Sequence, residues 1–193
     1  MAIRLVRDPG AGVVKGDKDE RVLGVDPGTV HTGWGVVGVV GGSLLHLAHG
    51  TIESARTEGQ ESRLSRIYHG LQEVLLHYKA QAISLEKVFF AHNAQSTLKL
   101  GQARGVVLLA AGEGDIAIHE YTSAEIKLAV VGYGHASKLQ VQKMVASLLH
   151  IPSRISTDAA DALAAAICHI HRRSYHARVL AALPPNRQRR RRM

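Results

Sequence analysis

The sequence predicts an α/β protein in which helices cover a β-sheet. Three apolar segments near the start have the length and composition of strands, at residues 22–25, 33–40 and 44–52. Gly41-Gly42 provides a hairpin turn between the last two, so the three segments form an antiparallel meander. Further along the chain, helical and strand patterns alternate, which is typical of α/β architecture.

The middle of the chain contains two helices, each followed by a strand. Apolar residues recur at three- and four-residue spacing from 62 to 78, which predicts an amphipathic helix lying on the sheet. Residues 82–85 are short and apolar, as expected of a buried central strand. A long helix over 93–111 ends at Gly112 and Gly114, and residues 116–121 form a further strand.

Three helices complete the chain. Thr122-Ser-Ala-Glu125 has the form of a capping box and starts a short helix that Gly132-Tyr-Gly134 ends. A second helix covers 137–150. Ser156 or Thr157 caps the last helix, which continues to about residue 173, with fraying expected as far as Ala182.

The charge of the protein is concentrated at its C-terminal end. The 193 residues are 46% hydrophobic and carry a net charge of +8, as expected of one globular domain that has an added basic segment. Residues 172–193 hold eight basic and no acidic side chains, whereas residues 1–171 balance sixteen of each. We therefore predict a flexible N-terminal extension over 1–20, a folded domain over 21–173 and a disordered basic tail over 174–193. The tail is either a solubilising terminus or a phosphate-attracting arm.

Several classes of protein are disfavoured by the sequence. No segment approaches the roughly 18 apolar residues of a membrane span, and the first twenty residues lack the apolar stretch of a secretory signal, so we expect a cytoplasmic protein. The single cysteine, Cys168, lies in an Ala-rich helical context that indicates a packed thiol without a catalytic role. His169-Ile-His171 lacks the usual helical spacing of zinc ligands.

Four carboxylates stand at the ends of apolar segments. Asp26 and Glu86 are the last residues of two predicted strands. Asp158 and Asp161 lie in the first turns of the last helix, and their side chains project from the same face of it. Acids in a first helical turn can simply complement the helix dipole, but the two acids at the strand ends need another explanation. Since a carboxylate in a poorly hydrated place costs several kcal/mol unless it is compensated, the pattern predicts a divalent metal site.

The ligand chemistry selects the metal and the reaction. Ligation by oxygen alone favours Mg²⁺, with Mn²⁺ as a substitute, over zinc. Two such ions, bound with the substrate, would polarise a scissile phosphate, activate the attacking water and stabilise the leaving oxygen. The sequence therefore predicts a nuclease.

Six motifs occur in the order and spacing of a known family. The chain resembles the RuvC family of bacterial Holliday-junction resolvases, in the ribonuclease H-like superfamily, over about residues 21 to 171. The motifs are Gly24-Val-Asp-Pro-Gly-Thr29 with Thr32-Gly33, Glu86-Lys-Val-Phe89, Asn93 with Leu98-Lys-Leu-Gly-Gln-Ala-Arg-Gly105, Lys127 with Val130-Val-Gly132, Lys138-Leu-Gln-Val-Gln142, and Asp158-Ala-Ala-Asp-Ala-Leu163.

This resemblance implies a ribonuclease H-like fold, in which helices flank a five-stranded mixed sheet of order 3-2-1-4-5. It also implies a Mg²⁺-dependent endonuclease that resolves four-way junction DNA in recombination and repair, by symmetric nicks in two strands of like polarity. The implied catalytic and metal-binding residues are Asp26, Glu86, Asp158 and Asp161. The implied DNA-binding residues are Phe89, which stacks on a base at the junction, and Lys127 and Lys138, which lie near the scissile phosphate.

The resemblance also implies partners. The protein is expected to be a homodimer, which suits the near-twofold symmetry of the junction, and to work with a branch-migration motor complex of RuvA and RuvB. The helix over 93–111 is the expected interface. Its candidate apolar contacts are Leu98, Leu100, Val106, Val107 and Leu109.

Three alternative functions are less consistent with the sequence. An ATPase of the actin and sugar-kinase type shares the Asp-x-Gly-Thr loop but needs two domains, for which 193 residues leave no room. A catalytically silent DNA-binding module would be expected to lack at least one of the four acids. A nuclease acting on RNA–DNA hybrids or RNA would use the same metal chemistry, and only groove and dimer geometry would separate it from a junction resolvase.

Overall fold

A six-stranded mixed sheet lies at the centre of the computed structural model, which describes residues 4–7, 20–87, 94–152 and 154–182. The strands are β1 (Arg4–Arg7), β2 (Arg21–Asp26), β3 (His31–Val40), β4 (Ser43–Glu53), β5 (Ala82–Glu86) and β6 (Ala117–Tyr121). The helices are α1 (Gln60–Tyr78), α2 (Ala94–Glu113), α3 (Ser123–Val131), α4 (Lys138–Leu148) and α5 (Thr157–Ala182).

The strand order confirms the predicted topology. The sheet reads β1-β4-β3-β2-β5-β6, so the five predicted strands adopt the order 3-2-1-4-5. β2, β3 and β4 form the antiparallel meander, while β5 pairs in parallel with both β2 and β6. The sheet is therefore a mixed one, and the carboxyl ends of β2, β5 and β6 meet at one edge.

The N-terminal prediction was wrong for one short segment. We expected residues 1–20 to be a flexible extension, but Arg4–Arg7 pairs antiparallel with β4 and adds a sixth strand to the sheet. An unpaired edge strand offers free backbone donors and acceptors, and this segment satisfies part of the outer edge of β4. Residues 8–19 lie outside the described part of the chain.

The two faces of the sheet carry separate hydrophobic cores. α5, with α3 and α4 against it, covers one face, where the Ala-rich stretch of α5 is buried. α1 and α2 cover the other face, whose largest buried side chains include Trp34, Leu23 and Leu85. Of the helices that the structure describes, none combines the length and apolar character needed to cross a membrane.

The last helix is continuous to Ala182, the residue as far as which the sequence predicted only fraying. Residues 174–182, which we assigned to a disordered tail, continue α5 as far as Ala182. The sequence contains no proline or glycine from Thr157 to Ala182, and the next proline is Pro184. Nothing in this stretch therefore ends the helix early. Residues 183–193 lie outside the described chain.

One face of α2 is committed to the protein's own core. Ala103, Val107, Ala110 and Ala111 are buried against the sheet. Val107 was therefore wrongly predicted as a contact at a dimer interface, because its side chain is fully enclosed within the protomer. On the outer side, Leu98 and Leu109 are 64% and 55% exposed.

Candidate active site

Asp26 and Glu86 are the last residues of two adjacent parallel strands. Val25 of β2 pairs with Leu85 of β5, so the two carboxylates follow side by side. Ser84 Oγ donates a hydrogen bond of 2.7 Å to the carbonyl oxygen of Ala165 in α5. Because alternate residues of a strand share a face, Glu86 lies on the face that α5 covers, and Asp26 lies on the same face beside it.

Two glycines allow α5 to lie directly on these strands. A Cβ placed on Gly24 would stand 1.8 Å from the carbonyl oxygen of Ala162, and one placed on Gly33 would stand 2.1 Å from that of Asp158. Gly33 is also the cross-strand partner of Asp26. The first turn of α5 is therefore stacked on the strand next to Asp26, which brings the helical pair Asp158 and Asp161 to the carboxyl edge of the sheet.

The electrostatics of Asp26 show that the acids act on one another. Burial raises the pKa of Asp26 to about 7, and the negative charges of Asp161, Asp158 and Glu86 add to this rise. The positive charge of Lys138 opposes it. Asp26 is thus a half-buried carboxyl group whose ionisation costs free energy, first because burial removes it from water and second because three other acids lie near it.

Lys138 provides a cation at the mouth of this cluster. Its Nζ donates to Asp161 Oδ2 at 3.2 Å, and the negative charge of Asp161 raises the pKa of the lysine. Ser137 begins α4 with a capping box, which fixes Lys138 in the first turn of that helix. With 76% of its side chain exposed, Lys138 also remains accessible to an anionic ligand.

The four carboxylates suit a hard divalent cation by their chemistry, although they do not form a cage as they stand. Within residues 20–87, 94–152 and 154–182, no three His, Cys, Asp or Glu side chains are arranged so that they could hold a metal ion. The donor set consists of carboxylate oxygens, which Mg²⁺ and Mn²⁺ prefer. Burial and the repulsion from the other acids, which together raise the pKa of Asp26, are the kind of free-energy cost that a bound cation would relieve.

The structure also shows a hydroxyl pair and two glycines that sequence reasoning did not single out. Thr51 Oγ1 lies 3.2 Å from Ser156 Oγ, which joins β4 to the residue before α5. A proposed cap at Ser156 or Thr157 was the nearest sequence signal. Gly24 and Gly33 lie within the family motifs, but their contact with α5 becomes visible only when the sheet is assembled.

The predicted DNA contacts are placed unevenly. Lys138 lies at the carboxylate cluster, as described above. Lys127 is half-buried on α3, and the structure gives it no ion pair with the four acids. Phe89 lies outside the described residues, in the gap between 87 and 94.

Comparison with known proteins identifies the family. The family model of crossover junction endodeoxyribonuclease RuvC matches residues 22–169. The RuvC of Geobacter metallireducens is 50% identical over 149 residues, which cover 77% of this chain and 91% of that protein. The RuvC of Ralstonia nicotianae is 49% identical over 151 residues, or 78% of this chain and 83% of that protein.

Solved structures agree with this assignment. The structure of T. thermophilus RuvC in complex with Holliday junction substrate superimposes with a TM-score of 0.75 and 33% identity, covering 83% of this chain and 96% of that chain. The yeast mitochondrial Holliday junction resolvase Ydc2 superimposes with a TM-score of 0.60 at 13% identity, over 80% of this chain and 79% of that chain, and shows the shared fold. The chain belongs to the RuvC family of crossover junction endodeoxyribonucleases, the enzymes that resolve Holliday junctions.

Proposed function

We propose that Asp26, Glu86, Asp158 and Asp161 are the catalytic metal ligands of this endonuclease, and that they hold Mg²⁺. The observation that carries the proposal is geometric: Asp26 and Glu86 end adjacent parallel strands, and the first turn of α5, which carries Asp158 and Asp161, rests on the strand beside Asp26. The raised pKa of Asp26, which burial and the three other acids cause, supports it. A protein that placed these acids for stability alone would not gather them, because each ionised neighbour increases the cost of ionising the next.

The chain's own residues have separate parts in the reaction. The carboxylates would hold Mg²⁺, for which Mn²⁺ can substitute. Two such ions, bound together with the substrate, would activate the attacking water as Lewis acids and stabilise the leaving oxygen. Asp26 acts in its ionised form, so its pKa of about 7 makes ligation dependent on pH. Lys138 is exposed beside Asp161 and contributes positive charge to the binding of the scissile phosphate.

A homodimer would place two such sites on one junction. The outer side of α2 supports this arrangement, because Leu98, Leu108 and Leu109 are exposed there. Gly101, Gly105 and Gly112 have open space beside their Cα atoms, so a second helix could approach the backbone closely. A twofold pair of protomers joined through α2 would nick two strands of like polarity in a symmetric four-way junction.

The remaining assignments are supported by family membership rather than by contacts. They comprise a nuclease domain over residues 21–173, a cytoplasmic location, cooperation with the branch-migration complex of RuvA and RuvB, and DNA contacts from Phe89 and Lys127. The basic residues from 172 onward supply charge that would add salt-dependent affinity for DNA phosphates.

The direct test is cleavage of a synthetic four-way junction beside a linear duplex, with and without Mg²⁺. The wild-type protein should nick the junction only when the metal is present, and it should leave the duplex intact. Asp26→Asn should bind the junction with unchanged affinity but nick it at least 1000-fold more slowly, because a neutral amide is a poor ligand for Mg²⁺.

Asp115→Asn is a matched control for this experiment. Asp115 lies in the exposed turn after α2 with a φ of 50°, a conformation that asparagine adopts readily, so the same chemical change should leave nicking unaffected. Undiminished cleavage by Asp26→Asn would refute the assignment of the metal centre.

A further inference from the structure

A row of residues crosses the sheet at the level of the four acids. Thr51 of β4 pairs with Gly33 of β3, and Gly33 pairs with Asp26 of β2. Cross-strand partners share a face, so Thr51 points to the same side as Asp26, where α5 lies. Thr51 is 7% exposed, and its hydroxyl is 3.2 Å from that of Ser156.

Ser156 caps the helix that carries two of the acids. Its Oγ accepts a hydrogen bond of 3.3 Å from the backbone N–H of Ala159, and its carbonyl oxygen accepts one of 2.9 Å from Ala160. These are the contacts of an N-cap residue. A bond between the Thr51 and Ser156 hydroxyls therefore ties the cap of α5 directly to the sheet.

Other hydrogen bonds between α5 and the sheet lie further along the helix from Asp158. Ser84 bonds to the carbonyl of Ala165, and Tyr121 bonds to His169, which are seven and eleven residues beyond Asp158. Near Asp158, the contact with the sheet is backbone against Gly33, which has no side chain to interlock with the helix. Among the described hydrogen bonds between α5 and the sheet, the hydroxyl pair is thus the one nearest to Asp158 along the chain.

We propose that Thr51 and Ser156 form a positioning pair that sets the orientation of the first turn of α5, and thereby the affinity of the site for its divalent metal. This inference rests on the proposed metal-binding role of the four carboxylates. The two hydroxyls act through the helix: they fix where Asp158 and Asp161 point relative to the strand-end acids, and they do not touch the metal themselves. Groups that hydrogen-bond metal ligands directly commonly change metal affinity by about 10- to 100-fold, and a pair that acts through the helix is expected to reach the lower end of that range.

The test measures binding of Mn²⁺ to the intact protein without DNA, by titration calorimetry and by the metal-induced rise in Tm. Thr51→Val keeps the size and branching of the side chain but removes the hydroxyl, and it should weaken Mn²⁺ binding about tenfold. Thr51→Ser restores the hydroxyl and should bind within twofold of the wild type. Ser156→Ala, at an exposed position where the change cannot prevent folding, should weaken binding to the same extent as Thr51→Val.

Thr122→Ala is the matched control for loss of a helix cap. Thr122 Oγ1 caps α3 by accepting the N–H of Glu125 at 3.2 Å, and α3 carries none of the four acids. This variant should lower the Tm of the metal-free protein, as Ser156→Ala does, but should leave the dissociation constant for Mn²⁺ unchanged. If the hydroxyl pair had a purely structural role, Thr51→Val and Ser156→Ala would behave like Thr122→Ala: the Tm would fall and the dissociation constant for Mn²⁺ would not change.

Two results would overturn the proposal, and they are distinguishable. Wild-type affinity for Mn²⁺ in both Thr51→Val and Ser156→Ala would refute the positioning role while leaving the metal centre intact. Absence of saturable Mn²⁺ binding by the wild-type protein, or unchanged binding by Asp26→Asn, would refute the metal centre and the positioning pair together.

Discussion

The two faces of the sheet meet their helices in opposite ways. On the face covered by α1 and α2, large side chains such as Trp34, Leu23 and Ile83 are fully buried and separate the helices from the strands. On the face covered by α5, Gly24 and Gly33 let the helix backbone rest on the strand backbone. Residues of β2 alternate between the two faces, so one short strand serves both purposes.

This difference separates stability from chemistry. A fully buried large apolar side chain contributes about 1.5–3 kcal/mol, so the α1–α2 face gains much from burial. A glycine contributes no side-chain burial, but its absence of a Cβ lets the first turn of α5 reach the ends of β2 and β5. The glycines on the α5 face therefore contribute less packing free energy, but they allow the four acids to lie at one edge of the sheet.

The sharpest way to break this comparison is a single methyl group on the α5 face. Gly33→Ala would place a Cβ only 2.1 Å from the carbonyl oxygen of Asp158. The clash is between the strand and the backbone of α5, so no flexible side chain can move aside. We expect nicking to fall at least 100-fold because Asp158 is displaced. We also expect the free energy of unfolding to fall by about 3 kcal/mol, as for other overpacked sites. Junction-cleavage rates and urea denaturation measure the two effects.

A conservative change on the opposite face provides the contrast. Ile83→Val removes one buried methylene from the α1–α2 face and should cost about 1 kcal/mol of stability. Its rate of nicking at saturating Mg²⁺ should match that of the wild type. Equal loss of activity in both variants would mean that the two faces do not differ in function.

Much of the fold is readable from the sequence because local patterns and global topology agree. The hairpin at Gly41-Gly42, the capping box at Thr122 and the periodic apolar residues of α1 all lie where the sequence places them. The pairing of Arg4–Arg7 with β4 was not predictable, because a four-residue strand depends on an available sheet edge rather than on its own pattern. Val107 was misassigned because periodicity gives the apolar side of α2 but not which partner covers it.

The four acids and their gathering at one site were predicted from the sequence, whereas the contacts that bring them together were not. Asp26 and Glu86 close apolar runs, and Asp158 and Asp161 share a helical face, so each carries a local signal. The stacking of α5 on Gly33 and the tie from Thr51 to Ser156 join residues more than 100 positions apart, and no sequence period reports such contacts.

Neutralising one acid should reveal the free-energy cost of the α5 face. Because the pKa of Asp26 rises to about 7, the folded protein binds a proton more tightly than the unfolded chain, so stability is lost as pH rises from about 4 to 7. Asp26→Asn removes this loss and should stabilise the metal-free protein by about 2–3 kcal/mol at pH 8. Urea denaturation in the presence of a chelator measures the gain. Mg²⁺ should stabilise the wild type more than the variant, and a metal-free variant no more stable than the wild type at pH 8 would contradict this account.

A buried histidine pair on the same face should produce the opposite slope. His49 pairs with Gly35, whose Cβ position lies against Leu163 of α5, and its Nδ1 is 2.8 Å from His46 Nε2. Burial, together with the charge of His46, lowers the pKa of His49 to about 4. As the pH falls below about 6.5, His49 is protonated in the unfolded chain but stays neutral in the folded protein. Stability is therefore lost as pH falls from about 6.5 to 4.

This slope overlaps the window in which Asp26 titrates, so the two contributions partly cancel in the wild type and separate in the variants. His49→Gln should reduce the loss of unfolding free energy at low pH by about 1–2 kcal/mol. Urea denaturation at pH 4.5 and 7 measures this change. The Asp26→Asn protein serves as the background, because Asp26 does not titrate in it. If stability in the Asp26→Asn background did not depend on pH between these values, His49 could not be excluding a proton from the α5 face.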